Sequence, residues 1–174
     1  MKKYLIFAAC ILAAGPAFSQ AIGEKTGVNS ALGISPSTPD FVSQVAISDM
    51  FEVEASKLAA EKADEPTKAF AKEMITAHTK TSSELKAAVA SDPKTPIPTA
   101  LDTAHQNKLD VLKKLNGVEF IAEYHQLQVS AHEDAVSLFE RYAKGGDSET
   151  LKSWAVSTLP ELQHHLEMAK AFDK

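Results

Sequence analysis

Hydrophobic residues recur every three to four positions through most of the chain, which is the spacing of one face of an α-helix. The pattern predicts five helices, at about residues 38–63, 66–90, 99–115, 116–144 and 148–174. Alanine is abundant, with 27 residues against 7 glycines, and this balance also favours helix. The predicted fold class is therefore all-α.

Proline, glycine and aspartate separate the predicted helices. Thr38-Pro39-Asp40 has the composition of a helix start, and Asp64-Glu65-Pro66 begins the next helix after a very short turn. Gly145-Gly146-Asp147 forms a second short turn. Residues 92–98 contain three prolines and must be extended. Pro160 lies inside the last helix and is expected to kink it.

The lengths of the connections predict the topology. Tight turns join the first long helix to the second and the third to the fourth, so each pair forms an antiparallel hairpin. About 25 residues separate the second long helix from the third, and they include the short helix at 99–115. These connections predict a ferritin-like four-helix bundle with one long crossover that carries a short extra helix.

The first 19 residues have the three parts of a secretory signal peptide. Lys2 and Lys3 give a positive start, an apolar run follows, and Ala17-Phe18-Ser19 offers small residues for cleavage. The sequence therefore predicts a signal peptide (1–19), a flexible leader (20–37) and a helical domain (38–174) in a periplasmic or secreted protein. A lipoprotein signal that ends at Cys10 is the alternative, although its apolar run would be short.

Charge and composition exclude several classes of partner. The 174 residues carry a formal net charge of −5, and cleavage after residue 19 would remove two lysines and no acid, which makes it −7. An acidic chain without a basic cluster argues against nucleic acid and anionic lipid as partners. No segment after the signal peptide is apolar enough to span a membrane. The sequence identifies no protein partner.

Motifs for catalysis are not found. The sequence has no glycine-rich phosphate loop and no nucleophile elbow. Its single cysteine, Cys10, lies in the predicted signal peptide, so the mature protein has no thiol chemistry. No enzymatic activity is predicted.

One polar residue lies inside the apolar stripe of each long helix. These residues are Glu54, His78, His132 and His165. Each lies within about one turn of the middle of its helix, and helices of equal length packed side by side bring their midpoints to one level. The sequence predicts that the four converge as ligands of a single transition-metal ion, for which Zn, Cu, Fe and Mn are the candidates.

The same positions also fit an interpretation without a metal. Glu54 could accept hydrogen bonds from protonated imidazoles and so fix the register of the helices. Met50, Met74 and Met168 lie within one turn of the predicted ligands, and thioethers would favour copper, although methionine is more commonly a core residue.

Several motifs of residues 41–174 occur together in a known family. They are Glu52-Val53-Glu54, Lys68-Ala69-Phe70-Ala71, His78-Thr79-Lys80, His132-Glu133, Leu138-Phe139-Glu140 and Thr158-Leu159-Pro160. On these motifs the chain resembles the domain-of-unknown-function 4142 family of exported, ferritin-like bacterial proteins. The resemblance implies a helical fold and an extracytoplasmic location, and it implies no established activity.

The sequence departs from the di-iron proteins that share the ferritin-like fold. Those proteins use several carboxylates and two Glu-x-x-His motifs. The residues three positions before the core histidines are Ile75, Val129 and Leu162. Two functions are therefore predicted as alternatives: an exported protein that binds one metal ion, or a non-catalytic envelope protein that binds another protein and has a purely structural polar core.

Overall fold

The computed structural model describes residues 28–90 and 95–172, which contain six α-helices and no strand. The helices are α1 (Val28–Ala31), α2 (Thr38–Lys62), α3 (Glu65–Val89), α4 (Thr103–Lys114), α5 (Gly117–Gly145) and α6 (Glu149–Ala171). The predicted all-α class is confirmed, and the five predicted helices correspond to α2 to α6. The predicted signal peptide lies outside the described residues. None of the described helices is long and apolar enough to cross a membrane.

Capping side chains determine where three of the long helices begin. The side-chain oxygens of Ser37, Asp64 and Ser148 each accept a hydrogen bond from the backbone N–H three residues later. These bonds satisfy amide groups that a helix start otherwise leaves without partners. Helix α6 continues through Pro160. Pro160 and Val156 are both exposed, so the interruption in backbone hydrogen bonding lies on the outer side of the helix.

The four long helices form a bundle of two hairpins. Short turns at 63–64 and 146–148 join α2 to α3 and α5 to α6. Helix α2 also packs against α5, and α3 packs against α6. The ring of Phe41 meets Phe139, and Ser56 hydrogen-bonds Tyr124 further along α2, so α2 and α5 run antiparallel.

The interior of the bundle consists of two apolar clusters with a polar layer between them. One cluster contains Met74 and Tyr124, and the other contains Leu85 and Phe139. All four long helices contribute to the polar layer, whose buried members are Asp49, Glu52, His78, Thr81, Gln128, His132 and His165. The two apolar clusters therefore shield the polar layer from solvent along the axis of the bundle.

The crossover helix α4 lies along the outside of α2 and covers it. The ring of Phe51 is 5.5 Å from that of His105 between ring centres, and Lys108 Nζ lies 6.0 Å from the centre of the Phe51 ring. Leu109 and Leu112 of α4 belong to the same apolar cluster as Phe51. Helix α2 is thus buried on two sides, by the bundle interior and by α4.

The segment around α1 lies against α5. Ser30 Oγ is 3.1 Å from Ser137 Oγ, and the Arg141 guanidinium donates to the carbonyl oxygen of Ile34 at 2.7 Å. Ser30 and Ile34 fall within the segment (20–37) that the sequence predicts to be a flexible leader.

Candidate metal centre

Three buried histidines from three helices meet in the polar layer. His78 of α3, His132 of α5 and His165 of α6 are at most 3% exposed. Their ring centres are 5.5 Å apart for His78 and His132, 6.0 Å for His78 and His165, and 5.5 Å for His132 and His165. One potential ligand atom of each lies within 4.8 Å of the other two.

Each of these histidines has a buried ring nitrogen without a hydrogen-bond partner among the described residues. The atoms are Nε2 of His78, Nε2 of His132 and Nδ1 of His165. In the neutral rings, Nδ1–H of His78 donates to Asp49 Oδ1 at 2.8 Å, and Nδ1–H of His132 donates to the Gln128 carbonyl at 2.9 Å. These bonds leave the lone pair on Nε2 of both rings, which is the atom that binds a metal.

The spacing of the three nitrogens suits a small ion after a modest closure. A tetrahedral ion with metal–nitrogen bonds of about 2.1 Å holds its nitrogen ligands about 3.4 Å apart. Nitrogens up to 4.8 Å apart would have to close by up to about 1.4 Å, which small rotations about the histidine side-chain torsions can supply.

Asp49 of α2 orients His78. Its carboxylate accepts hydrogen bonds from His78 Nδ1 and Thr81 Oγ1, both at 2.8 Å, and from Ser82 Oγ at 3.2 Å. Asp49 is 4% exposed. A carboxylate that binds the far nitrogen of a histidine is a common outer partner of metal-bound histidine, because it fixes the tautomer and the ring orientation.

Glu52 is the second buried carboxyl group of the polar layer. Its Oε2 accepts a hydrogen bond from Gln128 Nε2 at 2.7 Å, and its Oε1 has no partner in the described part of the chain. Burial raises the pKa of Glu52, although the charge of His78 and the bond from Gln128 act in the opposite direction. A nearby divalent cation would favour the ionised form of this carboxyl group.

Burial determines the charge of two of the three histidines. It lowers the pKa of His132 to about 3 and that of His165 to about 4, and the positive charge of His78 adds to both shifts. Burial also lowers the pKa of His78, but the hydrogen bond to Asp49 and the charges of Glu52 and Asp49 outweigh it, so that this pKa is raised. His132 and His165 are therefore neutral at neutral pH, as metal binding requires.

The metal-free protein is expected to lose stability as the pH falls from about 6.5 towards 4. In the unfolded chain His132 and His165 bind protons below a pKa of about 6.5. In the folded protein they bind protons only below pKa values of about 3 and 4, respectively. The slope is up to about 1.4 kcal/mol per pH unit for each histidine. His78 has the opposite sign, since its contribution is complete below 6.5 and is lost as the pH rises through its raised pKa.

Urea denaturation at pH 7, 6 and 5 in the presence of a chelator measures this slope. The His132→Leu variant serves as the control and is expected to show a smaller slope, because one of the two responsible groups is gone. Equal slopes in the two proteins would contradict the assignment.

The structure does not bring Glu54 to the three histidines. Its side chain is 50% exposed and forms an ion pair with Lys57 at 2.7 Å. The buried acids of α2 are instead Asp49 and Glu52, which lie on the face of the helix that also carries Val45, Ser56 and Ala59. Glu52 and Glu54 are two residues apart and so point in nearly opposite directions around the helix.

The packing of α4 against the outside of α2 explains why Glu54 does not face the histidines. From the sequence pattern, Ile47, Phe51 and Leu58 are predicted to form the inner stripe of α2, with Glu54 in a gap of that stripe. Phe51 is buried, but α4 covers it from outside the bundle. A helix buried on two sides has apolar residues around much of its circumference, so its hydrophobic pattern does not define one inner face.

Sequence reasoning missed Asp49 and Glu52 as members of the polar layer. Their spacing was the available signal, because Asp49, Glu52 and Ser56 follow the i, i+3, i+7 rule for one helical face. Gln128 was also missed, although its spacing from His132 was a similar signal. It lies one turn before His132 on α5.

The remaining histidines of the described chain have other surroundings. His105 Nδ1 is 2.8 Å from Asp102 Oδ1 at the start of α4. His125 Nε2 is 2.9 Å from Thr67 Oγ1, and its ring stacks on Phe172. Met74 lies within an apolar cluster, which is the core role that methionine commonly has.

Comparison with known proteins gives a family and a related fold. The family model described as "Domain of unknown function (DUF4142)" matches residues 23–172, which is the family that the sequence motifs resemble. A comparison with curated proteins gave no match. A solved structure described as "CopM in the Cu(II)-bound form" is similar, with a TM-score of 0.67 and 16% identity over 80% of this chain and 97% of that chain. At this identity the likeness shows the fold alone.

Proposed function

This chain belongs to the DUF4142 family, whose description states no activity, and we propose that it binds one transition-metal ion in the middle of its helical bundle. His78, His132 and His165 are the ligands. Three protein ligands leave a further coordination position for water or a small molecule. The protein holds the ion for sequestration or transfer.

The observation that carries this proposal is the set of three buried ring nitrogens without partners. Buried polar atoms in folded proteins are nearly always hydrogen-bonded, and each exception is unfavourable by about 1–3 kcal/mol. Three such exceptions belong to histidines of three different helices, and one potential ligand atom of each histidine lies within 4.8 Å of the other two. A purely structural polar layer would pair these atoms with each other or with donors, whereas a metal ion satisfies all three at once.

The charge of the surrounding layer suits a divalent cation. A buried cation requires nearby negative charge, because removal of its hydration shell is unfavourable. Asp49 and Glu52 are the buried carboxyl groups of the layer, and together they can supply two negative charges. The ion would stabilise the ionised form of Glu52 that burial opposes.

The three nitrogen donors favour Cu(II) or Zn(II) over Mn(II), because imidazole suits the first two and oxygen ligands suit manganese. Among divalent ions of this series, copper binds a nitrogen site most tightly. We therefore take Cu(II) as the first ion to test. The similarity of this fold to a protein described in a Cu(II)-bound form supports the choice.

We infer that the topology is ferritin-like and that the protein is exported. Helices α3 and α5 are joined through α4, and His78 of α3 meets His132 of α5 while Thr67 meets His125, so these two helices run parallel. One long crossover between parallel helices is the ferritin-like connection. The features of residues 1–19 support export. Export followed by cleavage after Ser19 would give a mature protein that begins at Gln20.

Metal content is the direct test of the proposed function. The mature protein is purified without chelator or affinity tag, its metals are measured by mass spectrometry, and Cu(II), Zn(II), Fe(II) and Mn(II) are titrated into the metal-free form. We expect about one equivalent to bind in the wild type and none in the His78→Ala, His132→Ala double variant, whose fold is checked by circular dichroism. A wild-type protein that ignores all four ions would overturn the proposal and favour a structural polar layer in a protein-binding module.

A further inference from the structure

A groove of about 360 Å³ leads from the surface towards the polar layer. It lies between α2 and α5, with α4 at one end and Ser30 of α1 at the other. Its lining includes the buried residues Asp49 and His78 and the partly exposed residues Asp102 and His105 at the start of α4. The groove therefore contains both a buried histidine of the candidate centre and a second, partly exposed imidazole–carboxylate pair.

We propose that this groove is the route by which the metal ion reaches the centre and that Asp102 and His105 bind the ion first, at the mouth. The inference rests on the proposed function. It assigns a transient cation site to two residues outside the polar layer. His78, whose buried Nε2 has no partner among the described residues, is the first histidine that an ion moving inward along the groove would meet.

The Asp102–His105 pair at the mouth offers ligand atoms for a divalent ion on two partly exposed side chains. Asp102 Oδ1 accepts hydrogen bonds from Nδ1–H and from the backbone N–H of His105, both at 2.8 Å, so Asp102 Oδ2 and His105 Nε2 are the atoms that would bind an ion. The side chains of Asp102 and His105 are 47% and 28% exposed. A carboxylate and an imidazole are both ligands for first-row divalent ions. Because the pair is exposed, it can bind a hydrated ion without complete removal of the hydration shell. Two ligands would hold the ion weakly and so allow its transfer to the three histidines of the centre.

The chemistry of the groove lining favours this path over the ends of the bundle. The apolar clusters above and below the polar layer would require a cation to cross packed hydrocarbon, which is strongly unfavourable. The groove lining carries the carboxyl groups of Asp49, Asp102 and Asp134 and the cations of Lys108 and Arg141, so the carboxyl groups outnumber these cations by one when His78 and His105 are neutral. Arg141 donates to the Ile34 carbonyl at the α1 end, away from α4.

A kinetic experiment distinguishes a site on the route from a site in the final complex. A residue that binds the ion only in transit changes the association and dissociation rates by the same factor and leaves the equilibrium constant unchanged. Cu(II) uptake by the metal-free protein is followed by stopped flow with a chromophoric chelator that reports free Cu(II). We expect Asp102→Asn combined with His105→Gln to slow both rates about tenfold, with the Kd within twofold of wild type.

The controls separate local effects from general charge effects. Asparagine can replace Asp102 as the N-cap of α4, so the helix is retained. Asp110→Asn removes the same charge from the same helix, but Asp110 bonds Gln106 and does not line the groove. This variant is expected to keep wild-type rates. Ile47→Trp, which fills the groove without altering a ligand, is expected to slow uptake as well.

Each outcome decides a different question. Binding with unchanged rates in the Asp102–His105 double variant and in Ile47→Trp would overturn the route and leave the proposed function standing. A Kd weakened tenfold or more in the double variant would also overturn it, because the pair would then belong to the final site. A wild-type protein that binds no Cu(II) would overturn the proposed function, and the route with it.

Discussion

The His132→Leu variant is expected to lose metal binding and to be at least as stable as the wild type when no metal is present. Leucine has a similar volume and no polar atom, so the substitution removes the buried, unpartnered Nε2 from the polar layer. We expect the free energy of unfolding without metal to be unchanged or to rise by about 1 kcal/mol. A site that is retained for binding at the expense of stability has this signature.

When metal is added, the wild type should become more stable than the His132→Leu variant. At a free Cu(II) concentration of 100 times the Kd, the wild type is expected to gain about 2.7 kcal/mol, or a rise of about 5–10 °C in melting temperature. His132→Leu should gain nothing. Thermal unfolding with chelator and with Cu(II) measures both effects, and exposed His164 provides the matched control His164→Leu, which should respond to metal as the wild type does. A fully retained response in His132→Leu would remove His132 from the ligand set.

The Asp49→Ala variant is expected to be the most destabilised single variant of the polar layer. Removal of the Asp49 carboxylate leaves the donors of His78, Thr81 and Ser82 without their shared acceptor. Removal of one partner from a buried, hydrogen-bonded charge pair destabilises a protein by about 3–5 kcal/mol. His78 also loses the group that fixes its tautomer, and loss of such an outer partner weakens metal affinity about 10–100-fold.

Two related variants test whether Asp49 acts through His78. Asp49→Asn keeps the shape and can still accept from His78 Nδ1, so it should recover part of the stability and of the metal affinity. Thr81→Val removes a hydroxyl that donates to Asp49 but leaves the hydrogen bond between Asp49 and His78. It should therefore reduce stability by about 1 kcal/mol without weakening the affinity for the metal ion. Chemical denaturation and Cu(II) titration of all three variants give the comparison. Equal affinities in Asp49→Ala and wild type would show that Asp49 is purely structural.

The helices and the depth of the three histidines can be predicted from the sequence alone. Proline, glycine and capping residues define the helix ends locally, within a turn of the chain, so their positions can be read without knowledge of the fold. His78, His132 and His165 lie near the middle of helices that pack side by side. Their common level follows from helix length and from the short turns, and both are properties of the sequence.

Which acids face the histidines, and how an ion could reach them, depends on how the helices pack against one another. The rotation of α2 about its axis depends on two packing partners, the bundle interior and α4, and the pattern of a helix buried on two sides does not separate them. For that reason Glu54 was predicted for a place that Asp49 and Glu52 occupy. The groove between α2 and α5 joins residues from all six described helices, and such a surface exists only after the helices have packed.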